Sequence, residues 1–71
     1  MAPANTIEER WVRMARAEFR EMPGLRLTLA QAARLWHLPV AEAEALLAAL
    51  VAEGLLRRLP DGSFCRADLA A

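Results

Sequence analysis

The chain has 71 residues, which limits it to one domain with a modest core. Its nine basic residues, all arginine, balance nine acidic ones for a formal net charge of +0, which argues against a strongly steered nucleic-acid binder while leaving a local patch open. The single cysteine, Cys65, excludes an internal disulfide and fits a reducing cytoplasm; the longest apolar run, Ala45 to Ala52, is far too short to span a bilayer.

Residues 1–5 are predicted to be a disordered lead-in, and the opening MAPANTIEER lacks the pattern of a signal peptide. A single domain is expected over residues 6–71. Thr6 and Glu9 have capping-box spacing, so a first helix is predicted from about Ile7 to Met22. Ile7, Trp11, Met14, Ala15, Phe19 and Met22 share one face of it, with Arg13, Arg16 and Arg20 on the opposite face. Glu18 falls awkwardly inside the apolar arc, which suggests an arginine partner or a position at the edge of the core. Pro23-Gly24 stops the helix. Leu25, Arg26 and Leu27 alternate, which leaves open a very short strand paired with the later hairpin. Thr28 and Gln31 form a second capping box, opening a helix from Leu29 to about Trp36. Leu29, Ala32, Ala33 and Trp36 are expected to face inward; Ala30, Gln31 and Arg34 outward.

His37-Leu38-Pro39 is the predicted turn, with Pro39 in the first turn of the next helix, where its missing N–H costs nothing. That helix is expected from about Val40 to Glu53, followed by Gly54 as a left-handed C-terminal residue. Val40, Ala43, Leu47, Leu50 and Val51 are predicted to be its buried stripe, with Leu46 on the flank. Leu55 to Leu59 and Ser63 to Ala67 read as two strands joined at Pro60-Asp61-Gly62, and Asp68 to Ala71 as a frayed end. The predicted fold is therefore mainly α with a small β-hairpin.

The stretch LTLAQAARLWHLPVAEAEALLAALVAEGLLRRLPDGSF, within about residues 25–67, resembles the winged helix-turn-helix superfamily of small bacterial regulators. The resemblance rests on a capped helix carrying Ala32 and Ala33, then Leu38-Pro39, a leucine-striped helix, Glu53-Gly54-Leu55-Leu56 and a basic hairpin. It implies a three-helix winged-helix domain, with the helix-turn-helix at about 28–54 and the wing at about 55–67. It also implies DNA binding, with residues 40–53 in the major groove.

The residues of that helix fit such a role poorly. Reading bases calls for Arg, Lys, Asn, Gln, Ser or Thr, and none lies between Val40 and Glu53. The outward face is instead Ala41, Ala45, Ala48, Ala49 and Ala52, flanked by Glu42, Glu44 and Glu53. Each missing bidentate contact forgoes roughly 1–3 kcal/mol of discrimination. Glu42 or Glu44 can accept from a cytosine amino group, and an alanine can touch a thymine methyl. Around the motif, Arg34, Arg26, Arg57, Arg58 and Arg66 can supply salt-sensitive phosphate contacts, or can be surface charges paired with Glu42, Glu44, Asp61 and Asp68. Arg57 and Arg58 face opposite ways in an alternating strand. Gln31, Arg34, Ala41, Glu42, Ala45, Arg57, Arg58 and Arg66 are thus the candidate DNA contacts.

The alternative is a protein-interaction or dimerisation module on the same fold, using Ala41, Ala45, Ala48, Ala49 and Ala52. Five methyl groups at about 0.8 kcal/mol each give at most ~4 kcal/mol. Association costs an estimated ~4–15 kcal/mol, so the alanines need help from the first helix or from exposed leucines such as Leu46 and Leu56. His37 and Cys65 fall short of a zinc site, and no nucleophile with a base and an orienting acid can be named. No catalytic residue, metal or cofactor is expected. Trp11 and Trp36 sit on apolar stripes, Cys65 reads as a packing residue, and Phe64 is expected to anchor the wing. The function expected from the sequence is a regulator-like DNA-binding module with weak sequence specificity as a monomer.

Overall fold

The computed structural model describes residues 9–68 as α1 (Glu9–Glu21), α2 (Leu29–Trp36), α3 (Val40–Ala52), β1 (Leu56–Arg58) and β2 (Phe64–Arg66). The lead-in, Thr6 of the first capping box and the start of the first helix at Ile7 lie outside these residues, as do residues 69–71. The layout is three helices and a two-stranded antiparallel hairpin, that of a winged helix.

α1 buries Val12, Ala15 and Phe19, an i, i+3, i+7 row, and half-buries Trp11 and Met14 on its flank. The buried row is rotated from the predicted one, to be centred near Phe19 rather than Trp11. Met22 lies beyond the last helical residue and is 46% exposed. Glu18 sits half-buried at the edge of the packed face.

α2 opens on the predicted box. Gln31 N–H donates to Thr28 Oγ1 at 3.1 Å, and Thr28 N–H donates to Gln31 Oε1 at 2.9 Å. Ala32, Ala33 and Trp36 are buried, while Arg34 and Leu35 face out. The helix closes at His37, which adopts φ 54 and ψ 45, and Leu38 N–H reaches back to the Ala33 carbonyl at 3.0 Å. Pro39 stands one residue before α3, as its N-cap, rather than inside its first turn. α2 and α3 meet at 107° across this turn, within the ~90–120° of a helix-turn-helix.

α3 buries Ala43, Leu46, Leu47 and Leu50. Leu46, expected on the flank, is in the centre of the core with no exposed surface. Val40 and Val51, expected inside, are 55% and 37% exposed. The cause is geometric: Ala43, Leu46, Leu47 and Leu50 fill one arc of the helix, and Val51 lies about 100° round from Leu50. Val40, the first helical residue, projects beside the turn. Gly54, at φ 84, ends the helix, and Leu55 N–H donates to the Leu50 carbonyl at 3.1 Å.

In the hairpin Leu56 pairs with Arg66, Arg57 with Cys65 and Arg58 with Phe64. Hydrogen bonds from Leu59 N–H to the Ser63 carbonyl and from Ala67 N–H to the Leu55 carbonyl continue the same register, so the pairing covers the predicted strands although the regular part is shorter. Asp61 accepts both Ser63 N–H (3.0 Å) and Ser63 Oγ–H (2.6 Å), and Gly62 takes φ 90. Leu27 joins the sheet by a single bridge: its N–H donates to the Phe64 carbonyl at 3.0 Å, and Phe64 N–H donates back at 2.7 Å. Val12, Phe19, Trp36, Leu46, Leu50, Leu56 and Phe64 belong to one core, so α1, the helix-turn-helix and the wing are packed together. No single helix among the described residues is long and apolar enough to cross a membrane.

Candidate interaction surface around the third helix

With its core arc turned inward, α3 presents Ala41, Ala48 and Ala52 along its outer ridge. Glu42 and Glu44 are exposed on opposite edges. Glu42 stands in the first turn of the helix, where a carboxylate is favoured by the helix dipole. That position serves the helix and repels phosphate. Ala45 is half-buried. Ala49 packs against the core, so it leaves the predicted interaction face. Val40 and Val51 join that face instead, on the edge shared with Glu44. No side chain on this surface carries a hydrogen-bond fork for a base edge.

The arginines are distributed round this ridge rather than on it. On the α2 side, Gln31, Arg34 and Val40 line a shallow groove of about 370 Å³ with Ala30, Ala33 and Leu38. Gln31 spends its side-chain oxygen on the capping box. Arg34 is exposed and makes no ion pair among the described residues. On the wing side, Glu44, Ala48, Val51, Arg58 and Phe64 line a second groove of about 170 Å³. Arg58 pairs across the ladder with Phe64, and its guanidinium lies 5.3 Å from the centre of the Phe64 ring. Alternation along β1 turns Arg58 to the same side as buried Leu56 and sends Arg57 to the other side. Arg57 is exposed.

Arg66, a candidate DNA contact, is instead held by Asp68 through a two-pronged ion pair (Nε–Oδ1 3.0 Å, Nη2–Oδ2 2.7 Å). Its charge is neutralised locally, and Asp68, expected to fray, is tied down. The pairing of arginines with surface acids thus holds for Arg66. At Asp61, Arg26 acts only as a neighbouring positive charge. The Ser63 hydroxyl, then the Ser63 N–H, are the larger causes that hold the Asp61 carboxyl below its ordinary range.

A further ion pair links α1 to the end of α3. Arg16 donates to Glu53 through Nε (3.1 Å) and Nη2 (2.7 Å). The hydrogen bond to Arg16 lowers the Glu53 pKa, and the same bond raises that of Arg16. Arg16 therefore leaves the row of arginines on α1, where Arg13 and Arg20 remain exposed beside Ala17. His37 is exposed in the turn, Cys65 is half-buried on β2, and no group of three metal-ligating side chains occurs among the described residues.

The structure thus brings Arg34, Gln31, Ala41, Glu42, Ala45 and Arg58 around α3, and sets Arg66 aside with its own partner. Sequence reasoning missed the exposure of Val40 and Val51. The available signal was a surplus: α3 has more large apolar side chains than one buried arc accommodates. Comparison with protein-family models, curated proteins and solved structures finds no match to this chain.

Proposed function

We propose that this chain is a protein-docking module of the winged helix-turn-helix superfamily, acting in the cytoplasm, with α3 as its docking element. The observation that carries this reading is the exposure of Val40 and Val51 beside Ala41, Ala48 and Ala52. Fully burying a valine is worth about 1.5–3 kcal/mol. The exposed parts of Val40 and Val51 therefore add about 1–3 kcal/mol to what the alanines offer. The resemblance to regulators implies DNA, but a fold does not dictate its use, and this face is apolar with acidic edges. A photoreactive residue at position 48 tests the reading. It is expected to form protein adducts in cells, while the same residue at Arg13 on α1 forms few. Equal yields at both positions count against it.

A second reading, DNA binding with weak sequence specificity, is favoured by the placement of Arg34 and Arg58 on the two sides of α3. These two residues hold phosphates of neighbouring strands while α3 reads no bases. Binding then comes from counterion release and falls roughly tenfold between about 50 and 200 mM salt for two phosphate contacts. Fluorescence anisotropy with random and genomic duplexes should show nearly equal affinities at low salt, abolished by Arg34→Glu with Arg58→Glu. A flat titration for the wild type rules this reading out.

A further inference from the structure

We propose that the occupant of the α3 face is a second copy of this chain, docked about a two-fold axis that sets Glu44 of each copy against Arg58 of the other. The inference deepens the protein-docking reading and rests on it. Its basis is the groove between α3 and the wing, whose lining combines apolar Ala48, Val51 and Phe64 with charged Glu44 and Arg58. Glu44 makes no hydrogen bond or ion pair among the described residues, and Arg58 touches only the Phe64 ring through its guanidinium. One surface therefore carries an acid and a base, neither of them in an ion pair among the described residues, together with exposed apolar Ala48 and Val51. Such a surface is self-complementary under a two-fold rotation, as an isologous interface requires.

Antiparallel contact of the two α3 helices brings Val40 of one copy toward Val51 of the other, because these residues stand at opposite ends of the same helix edge. The small side chain of Ala48 lets the helices approach. A dimer built on the alanine ridge alone lacks this compensation: it gathers Glu42 and Glu44 of both copies with no cation beside them. The formal net charge of +0 removes the long-range repulsion between copies. An interface made of one short helix and a hairpin is small, so association is expected to be weak and concentration-dependent.

Sedimentation equilibrium of the full chain, from roughly 10 µM to 1 mM, reads this directly. The 7.9 kDa chain should approach twice that mass at the upper end. Glu44→Arg and Arg58→Glu should each remain monomeric. The double variant Glu44→Arg with Arg58→Glu should recover self-association, because the swapped charges again meet across the axis. Arg13→Glu on α1 should associate like the wild type. Circular dichroism confirms that each variant is folded before its mass is interpreted.

A wild type that stays monomeric throughout overturns the proposal. So does a double swap that stays monomeric while folded, or loss of association in Arg13→Glu with none in Arg58→Glu, which marks a head-to-tail contact through α1. The broader docking reading is separated by the photoreactive probe at position 48. If the chain is monomeric and that probe cross-links a different protein, the second-copy inference fails and the docking reading stands. If the chain is monomeric and the probe captures nothing, both fail.

Discussion

His37 and Gly54 close two successive helices with the same backbone device, a left-handed residue followed by an N–H that reaches back five positions. At Gly54 no side chain opposes that geometry. At His37 the Cβ crowds its own carbonyl, a cost of about 1–2 kcal/mol for an ordinary residue. Replacing His37 with Gly is therefore expected to raise stability by about 0.5–1 kcal/mol, and Gly54→Ala to lower it by about 1 kcal/mol. Urea midpoints at constant slope measure both. Two acids set the response to pH. Glu53, bound by Arg16, and Asp61, bound by Ser63, release their protons more readily in the folded chain than in the unfolded one. The unfolded chain then takes up more protons as the solution is acidified. Their contribution is complete above the ordinary carboxylate range of about 4 and is lost as pH falls through their depressed folded values. Thermal midpoints should be flat from about pH 7 to 5 and drop below about pH 4, with a shallower acid limb in Glu53→Gln and Asp61→Asn.

At the scale of the element, α3 is where packing overrides periodicity. Leu46→Ala is expected to cost about 2–5 kcal/mol, because Leu46 is enclosed at the centre of the core. Val40→Ala should stay within about 0.5 kcal/mol, since more than half of Val40 already meets solvent. Denaturation of the two variants side by side checks the rotational setting of the helix. That setting was not legible in the sequence. Val40, Leu46, Leu47, Leu50 and Val51, with alanines between them, leave apolar residues nearly all round, so a 3.6-residue period has little contrast to detect. What decides the matter is which arc meets α1 and the hairpin. Local signals were legible for the opposite reason. Thr28 and Gln31 satisfy each other within one turn, Gly54 takes a conformation that few residues tolerate, and Asp61-Gly62 shapes its own bend. The same division runs through the interaction surface. Its alanine ridge and acidic edges could be read from spacing, whereas Arg66 pairing with Asp68 and Ala49 turning toward the core depend on the finished packing.

Across the whole molecule the formal charge sums to zero, but its distribution is uneven. α1 mixes exposed Arg10, Arg13 and Arg20 with exposed Glu9 and Glu21, whereas α3 carries Glu42 and Glu44 and no basic residue. The hairpin adds Arg58 beside the acidic edge of α3. Any partner of α3 has to satisfy both an apolar ridge and the Glu44–Arg58 edge, which favours a shaped protein surface over a uniformly anionic polymer.

The paired hydrogen bonds between Leu27 and Phe64 have a consequence for how this fold opens. Leu27 enters the helix-turn-helix and Phe64 lies beyond it, so their contact seals α2, α3 and β1 into one closed loop of chain. Closing a loop of that length is an entropic cost recovered only once the enclosed residues are packed. The seal and the core are therefore expected to break together, leaving no open form in which the helix-turn-helix persists without its wing. In hydrogen exchange the amides of Leu27 and Phe64 should exchange at the rate of global unfolding, with those in the first turn of α1 exchanging far sooner. A seal that exchanges as fast as the α1 end would show that the wing detaches independently.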